Sequence, residues 1–335
     1  MRDKKLQTRY FRWYTTLSQF PRPKDQFRQT TRPSYKTQYV KNPKSSRLAS
    51  ILIHTTAMSH FHLTTHLAQQ FENDGYFIVR GLFDQEEIAI LREAIEHDQN
   101  LKQRLYDRHD ASGKKTKMAT WNHPGDSVYG LAARSKKIVD TMETLLGGEV
   151  YHYHSKLTAK EPREGGAWEW HQDYGYWYHN GIVFPQLASV MVALDKTDRE
   201  NGCLQVIKGS HTVGRIEHGV LKGEQVGANT RRVEEVLKIL PVEHIELEAG
   251  DGVFFHCNVL HRSDQNRSSR RRWTVIHCYN RASNNPYLEH HHPKYTPLMK
   301  VENDEIKKAG VRFSSLPEDF NQQSVNPPEL TQKNQ

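Results

Sequence analysis

Apolar and polar positions divide the chain into an unpatterned leader, a helical part and a long run of short strands. Residues 1–57 show no apolar periodicity. From Thr64 onward Leu67 and Phe71 repeat at helical spacing and Gly75 ends the run, which predicts a short helix followed by the apolar strand Tyr76–Val79. Asp84 and Glu87 form a capping-box start, with Ile88, Leu91 and Ile95 on one face of the helix behind it. Ser135 is placed to cap another amphipathic helix carrying Ile138, Met142, Leu145 and Leu146, closed by Gly147-Gly148. Residues 108–118 are polar and Lys-rich, which predicts a loop acting as a mobile flap. Strand-like segments follow at 149–160, 188–194, 203–208, 240–248, 252–257 and 272–279, separated by Gly, Asn, Asp and Pro turns. With no βαβ alternation and no internal repeat, this order predicts an α+β fold whose mainly β core is an antiparallel sandwich or barrel.

Composition divides the chain in the same way. Residues 1–57 hold thirteen Lys/Arg against two acidic residues and build no core. The segment reads as an over-long gene model, or as an organelle transit peptide. The expected catalytic domain is 58–314, and 315–335 is a polar tail with Pro327-Pro328. The overall charge of +8 lies in the leader, leaving 34 basic against 37 acidic residues in 58–335. The body is therefore not the basic surface that nucleic-acid binding requires. No apolar run reaches the roughly 20 residues needed to span a bilayer. Cys203, Cys257 and Cys278 have neither disulfide nor metal spacing and read as reduced thiols. The expected compartment is the cytoplasm, or the mitochondrion if the leader is a transit peptide.

The candidate chemistry centres on Trp168-Glu-Trp-His-Gln-Asp-Tyr-Gly-Tyr-Trp-Tyr178. His171 and Asp173 stand two apart, so an extended strand would send both side chains from one face. They are two thirds of a 2-His-1-carboxylate set of the kind that holds non-haem Fe(II) with coordination positions open. With twenty His in the chain, chance alone supplies roughly one such tripeptide. The third ligand must therefore come from elsewhere. His261 supplies it, at the end of the apolar strand that follows the turn Gly250–Gly252. Eleven residues later Arg272 opens the next strand, where antiparallel pairing would return it beside His261 as a fork for a dicarboxylate. Arg262, Arg267, Arg270 and Arg271 crowd the same segment, so spacing alone singles out Arg272. His290-His-His292 reads as a surface loop rather than a metal tract.

These features resemble, over roughly 64–285, the phytanoyl-CoA dioxygenase family of Fe(II)/2-oxoglutarate oxygenases. The resemblance rests on Phe-Glu-Asn-Asp-Gly-Tyr-Phe-Ile-Val-Arg-Gly-Leu at 71–82, Trp-His-Gln-Asp at 170–173, Glu-Asn-Gly-Cys-Leu-Gln-Val-Ile-Lys-Gly-Ser-His at 200–211, and His261 with Arg272. It implies a double-stranded β-helix (cupin-like jelly roll) with helices outside. It also implies Fe(II), O2 and 2-oxoglutarate as cofactor and co-substrates, with His171, Asp173 and His261 as metal ligands. Arg272, Ser263 and Lys156 fall at positions implied for the 2-oxoglutarate pocket. Met191 departs from the Trp of the phytanoyl-CoA enzyme itself. Within the family, 150–160, 170–174 and 279–284 are most similar to free L-proline 4-hydroxylases and more loosely to ectoine hydroxylase, although His154 replaces a Gln near the substrate. The implied substrate is a small, polar, amino-acid-like molecule, with hydroxylation driven by decarboxylation of 2-oxoglutarate to succinate. The alternatives are an acyl-CoA or lipid-type substrate, or a cupin-type metal protein that is no oxygenase. Oligomeric state is not legible.

Overall fold

The computed structural model describes residues 61–315 apart from residue 222. The expectations for 1–57 and for the tail beyond 315 lie outside the described residues. Among the described residues no helix is long and apolar enough to cross a membrane.

Thr64 caps α1 (Thr65–Asp74) by accepting from Leu67 N at 3.3 Å, and Gly75 ends it in the left-handed region that favours glycine. Strand β1 (Tyr76–Val79) leads to α2 (Gln85–His97), where the capping box forms as expected: Asp84 accepts from Glu87 N and Glu87 accepts from Asp84 N. Then come α3 (Gln99–Gln103), β2 (Tyr106–His109), β3 (Lys115–Trp121), α4 (Val128–Arg134) and α5 (Lys136–Leu146). Ser135 precedes α5 but does not cap it, because its hydroxyl donates to Ala132 O at 2.8 Å and so closes α4 instead.

The remaining elements are β4 (Val150–Lys160), β5 (Trp168–His171), α6 (Asp173–Trp177), β6 (Leu187–Ala193), β7 (Leu204–Ile207), β8 (His218–Val220), β9 (Val226–Ala228), α7 (Thr230–Leu237), β10 (Val242–Ile245), β11 (Gly252–His256), β12 (His261–Ser263), β13 (Arg272–Arg281) and α8 (Glu305–Ala309). Seven strands form a sheet in the order β1-β11-β6-β13-β4-β3-β2, four form a second in the order β10-β7-β12-β5, and β8 pairs with β9. The ladders within these sheets are antiparallel. The fold is thus mixed helix and sheet, mainly antiparallel, as the α+β expectation has it.

Two apolar clusters explain the layering. Helices α1, α2, α4 and α5 bury Phe71, Ile88, Leu91, Ile138 and Met142 against one face of the larger sheet. Its other face packs Met191, Phe255, Ile276 and Cys278 against Leu204, Val206 and Ile245 of the smaller sheet. A charge is buried in the helical layer: Lys137 Nζ lies 2.7 and 3.0 Å from the two Glu87 oxygens and 3.9 Å over the Phe83 ring. Glu87→Ala should cost about 3–5 kcal/mol, read as a shift in denaturant midpoint, because it strands that ammonium in the core.

The expectation of a mobile loop at 108–118 is overturned. The segment is the hairpin β2–β3, whose second strand extends the larger sheet through β4. The signal was missed because the turn is built by one side chain rather than by apolar residues. Asp110 accepts from Ser112 N, Ser112 Oγ and Lys114 N, and ties the turn to Ala167 N and Gln265 Nε2. Partial burial would raise its pKa, but these donors hold it down to about 2.

Candidate active site

His171 ends β5 and His261 opens β12, and the two are register partners on adjacent strands of the smaller sheet. Their ring centroids lie 4.0 Å apart. Asp173 is not on the strand as the two-residue spacing suggested. The chain turns at Gln172 and Asp173 begins α6, which carries the carboxylate back toward the imidazoles. Gln172, fully buried, holds that turn: its amide donates to Gly214 O and Asn258 O and accepts from Ile216 N, while its backbone N–H donates to His218 Nε2. This positioning residue sits between the two candidate ligands and carries no periodic signal of its own.

His171, Asp173 and His261 are buried, at 4%, 2% and 5% exposure, and their ligand atoms lie within 4.8 Å of one another. Among the described residues they are the group of His, Cys or acidic side chains arranged to hold a metal ion. Their hydrogen bonds fit that use. His171 Nδ1 donates to Glu169 O at 2.8 Å and His261 Nδ1 to Val259 O at 2.9 Å, so each Nε2 keeps its lone pair. Burial pushes both imidazoles below their ordinary pKa, although the Asp173 charge acts in the opposite sense on His261. Both imidazoles are therefore neutral at neutral pH. Asp173 Oδ1 lies 3.4 Å from Lys156 Nζ and 4.0 Å from His261 Nε2, and Ser189 Oγ donates to its Oδ2 at 3.3 Å.

Two chambers meet at this set, sharing Met118, Lys156, Trp168 and His171. One is lined by Lys160, Met191, Leu204, Ser263, Arg272 and Ile276. Arg272 does not lie on a strand beside His261, as spacing suggested. It belongs to the larger sheet, in register with Lys160, and reaches the cavity from the facing layer. Arg262, Arg270 and Arg271 are paired with Asp264, with Asp198 and Glu200, and with Glu96 and Asp195. Arg272 is buried without an ion pair among the described residues, and its Nε has no hydrogen-bond partner. Burial lowers its pKa to about 10, so it stays charged. Ser263 Oγ accepts from Lys160 Nζ at 2.8 Å. The sequence singled out Lys156 and not Lys160, and both line this chamber. The alternation of β4 puts both on the cavity side, but Lys156 serves Asp173 while Lys160 reaches Ser263. A charged guanidinium, a lysine amine and a hydroxyl with no anion among them offer donors that suit a carboxylate.

The other chamber has a cavity volume of about 120 Å³. Tyr106, His154, Trp168, Tyr176, Trp177 and His292 are among its walls, with Arg108 and Glu224 also lining it. A bulge between Cys278 and Tyr279 shifts the register against β4 next to His154. Three of the six aromatics at 168–178 line this chamber. Tyr174 instead points into the core and donates to Ile182 O and Val183 O, Trp170 packs outside under Arg262, and Tyr178 is exposed beneath Arg215. The surface-loop expectation for 290–292 is also corrected in part, since His291 and His292 line the chamber.

The arrangement is a set of two imidazoles and a carboxylate that could hold one metal ion, with a buried guanidinium nearby, the general plan of a non-haem oxygenase. The chain belongs to the phytanoyl-CoA dioxygenase (PhyH) family, whose model matches residues 71–274. It is 33% identical over 192 residues to L-proline trans-4-hydroxylase of Streptomyces griseoviridis, covering 53% of this chain and 70% of that protein. It is 22% identical over 280 residues to ectoine dioxygenase of Stutzerimonas stutzeri, covering 78% and 91%. The fold matches that of EctD from S. alaskensis, solved with 2-oxoglutarate and 5-hydroxyectoine, at a TM-score of 0.60 and 21% identity, over 72% of this chain and 88% of that one.

Proposed function

We propose that the protein is an Fe(II)- and 2-oxoglutarate-dependent dioxygenase that hydroxylates a compact, polar, amino-acid-like metabolite. The observation that carries this reading is a neutral two-imidazole, one-carboxylate set beside a buried guanidinium that has no anion of its own. In this reading His171, Asp173 and His261 hold the iron, and Arg272, Ser263 and Lys160 hold the distal carboxylate of 2-oxoglutarate. Lys156 lines the shared waist, with its Nζ 3.4 Å from Asp173 Oδ1. The two facing antiparallel sheets, with both imidazoles on the smaller one, support reading the core as a double-stranded β-helix. The three buried free cysteines favour a reducing compartment such as the cytoplasm.

When bound, the iron with 2-oxoglutarate supplies the oxidation, in which one oxygen atom of O2 enters a substrate C–H bond while 2-oxoglutarate becomes succinate and carbon dioxide. The chain itself binds and orients. Hydrogen bonds from both Nδ1 atoms fix the imidazoles, Ser189 and Lys156 fix the carboxylate, and Trp168, Tyr176 and Trp177 wall the chamber against water. Tyr176 is held in place by donating to Val226 O at 2.5 Å.

The size of the chamber and its mixed charges favour a small zwitterion over an acyl-CoA, as does the identity to the proline enzyme. The test is succinate formation on a panel of free amino acids, betaines and acyl-CoA esters. At least one amino-acid-like compound should raise turnover tenfold or more over background, with matched hydroxylated product. Coupled hydroxylation of an acyl-CoA and of no amino-acid-like compound would reverse the substrate reading.

A further inference from the structure

We propose that His292, carried on a segment that closes the substrate chamber and held there by Asn122, is the acceptor that recognises the ammonium N–H of the substrate. The inference rests on the amino-acid reading above and adds a specificity-determining residue to it.

A chain of hydrogen bonds fixes which ring nitrogen is free. His152 Nδ1 donates to the backbone carbonyl of Asn122 at 2.9 Å. The Asn122 side-chain amide donates to His291 O at 2.5 Å, so its Oδ1 is the acceptor facing His292 Nδ1 at 2.9 Å. His292 therefore carries its proton on Nδ1 and a lone pair on Nε2, which has no hydrogen-bond donor among the described residues. The ring is stacked on His154, with centroids 4.4 Å apart and planes 14° from parallel, and lies 4.8 Å from the Tyr153 ring. Burial and the neighbouring His154 hold its pKa well below the usual value, so the ring stays neutral and accepting.

Both acidic groups of the chamber already make protein contacts, Glu224 through Oε2 alone. Asp173 faces Lys156 and belongs to the ligand set. Glu224 accepts from His109 N at 3.1 Å and lies 2.9 Å from His109 Nδ1. A substrate ammonium entering between these walls finds in His292 an acceptor that no protein donor occupies, set on an aromatic stack that suits the apolar part of a compact amino or imino acid.

The probes are L-proline as substrate and tetrahydrofuran-2-carboxylate as competitor. The second keeps the ring and carboxylate but has no N–H. The wild-type holoenzyme should prefer L-proline by at least tenfold, comparing KM with the inhibition constant. His292→Phe keeps a stacking ring and removes the acceptor, so it should bring the ratio near one while the KM for 2-oxoglutarate stays within twofold. His292→Gln restores an acceptor and should recover part of the preference, and Asn122→Ala should lower it by releasing the ring. A purely structural role would weaken both probes equally. An unchanged ratio in His292→Phe overturns the assignment. If that variant does not fold, an unchanged ratio in Asn122→Ala does so. Failure of L-proline to bind the wild-type protein overturns it as well. If no free amino acid supports succinate formation, the substrate reading falls and takes this assignment with it; normal L-proline turnover with an unmoved ratio removes the assignment alone.

Discussion

Asp173→Ala should abolish coupled hydroxylation and weaken Fe(II) binding by more than the roughly 10–100-fold that loss of an outer hydrogen-bond partner costs at a metal site. Asp173 is the one carboxylate of the proposed ligand set, 2% exposed, and the other two members are imidazoles. Its removal also leaves Lys156, 3.4 Å away, facing the metal without a counter-charge. Like charges at close range in a largely buried site repel strongly, so Lys156 and the lost ligand act in the same direction. Ser189→Ala is the graded comparison. It removes one 3.3 Å hydrogen bond to the same carboxylate and should cost no more than about tenfold in metal affinity. Equilibrium dialysis with Fe(II) under anaerobic conditions, followed by succinate assay, measures both effects. Undiminished iron affinity in Asp173→Ala would remove the metal role given to the 171–173 pair.

The candidate site was legible where chemistry depends on residue type in chain order. His171, Asp173, His261 and Arg272 could be named because a metal needs donors and a dicarboxylate needs a fork. The fold brings all four to the two adjoining chambers, although by other routes than spacing implied. Extended-strand geometry for His171 and Asp173 failed because Gln172, through three side-chain hydrogen bonds, turns the chain into α6. The neighbouring-strand argument for Arg272 failed because sheet membership is a long-range property. Arg272 pairs with Lys160 in one sheet while His261 pairs with His171 in the other. Lys160 was hidden for a related reason. Positions 154, 156, 158 and 160 share one strand periodicity, and only the facing Ser263 distinguishes the lysine that meets it. The helices were the most legible part, since Thr64, Gly75 and the Asp84–Glu87 box act within a few residues of themselves. The hairpin at 106–121 was not, because its turn is stabilised by Asp110 contacts to Ala167 and Gln265, far along the chain.

Arg272→Ala should raise the 2-oxoglutarate concentration needed for half-maximal turnover by a hundredfold or more, the equivalent of the roughly 3–5 kcal/mol that a buried ion pair loses with one partner. The ligand-free protein should respond in the opposite sense. The Arg272 guanidinium is buried beside Lys160, with no carboxylate partner and an unpartnered Nε, and its Nη2 lies 3.9 Å from Met191 Sδ. Desolvating a charge without a counter-ion destabilises the fold, so the variant should unfold at the same or a higher temperature when 2-oxoglutarate is absent. Added 2-oxoglutarate should then stabilise the wild-type protein and leave the variant almost unmoved, as expected when a ligand binds only the native state. Arg272→Lys should recover only part of the affinity, because an ammonium cannot offer the planar fork. Arg271→Ala is the specificity control: that side chain points the other way, to Asp195 and Glu96, and its loss should leave 2-oxoglutarate dependence unchanged. A ligand-free Arg272→Ala protein that is several kcal/mol less stable, with 2-oxoglutarate affinity intact, would make Arg272 a packing residue and leave the carboxylate to Lys160.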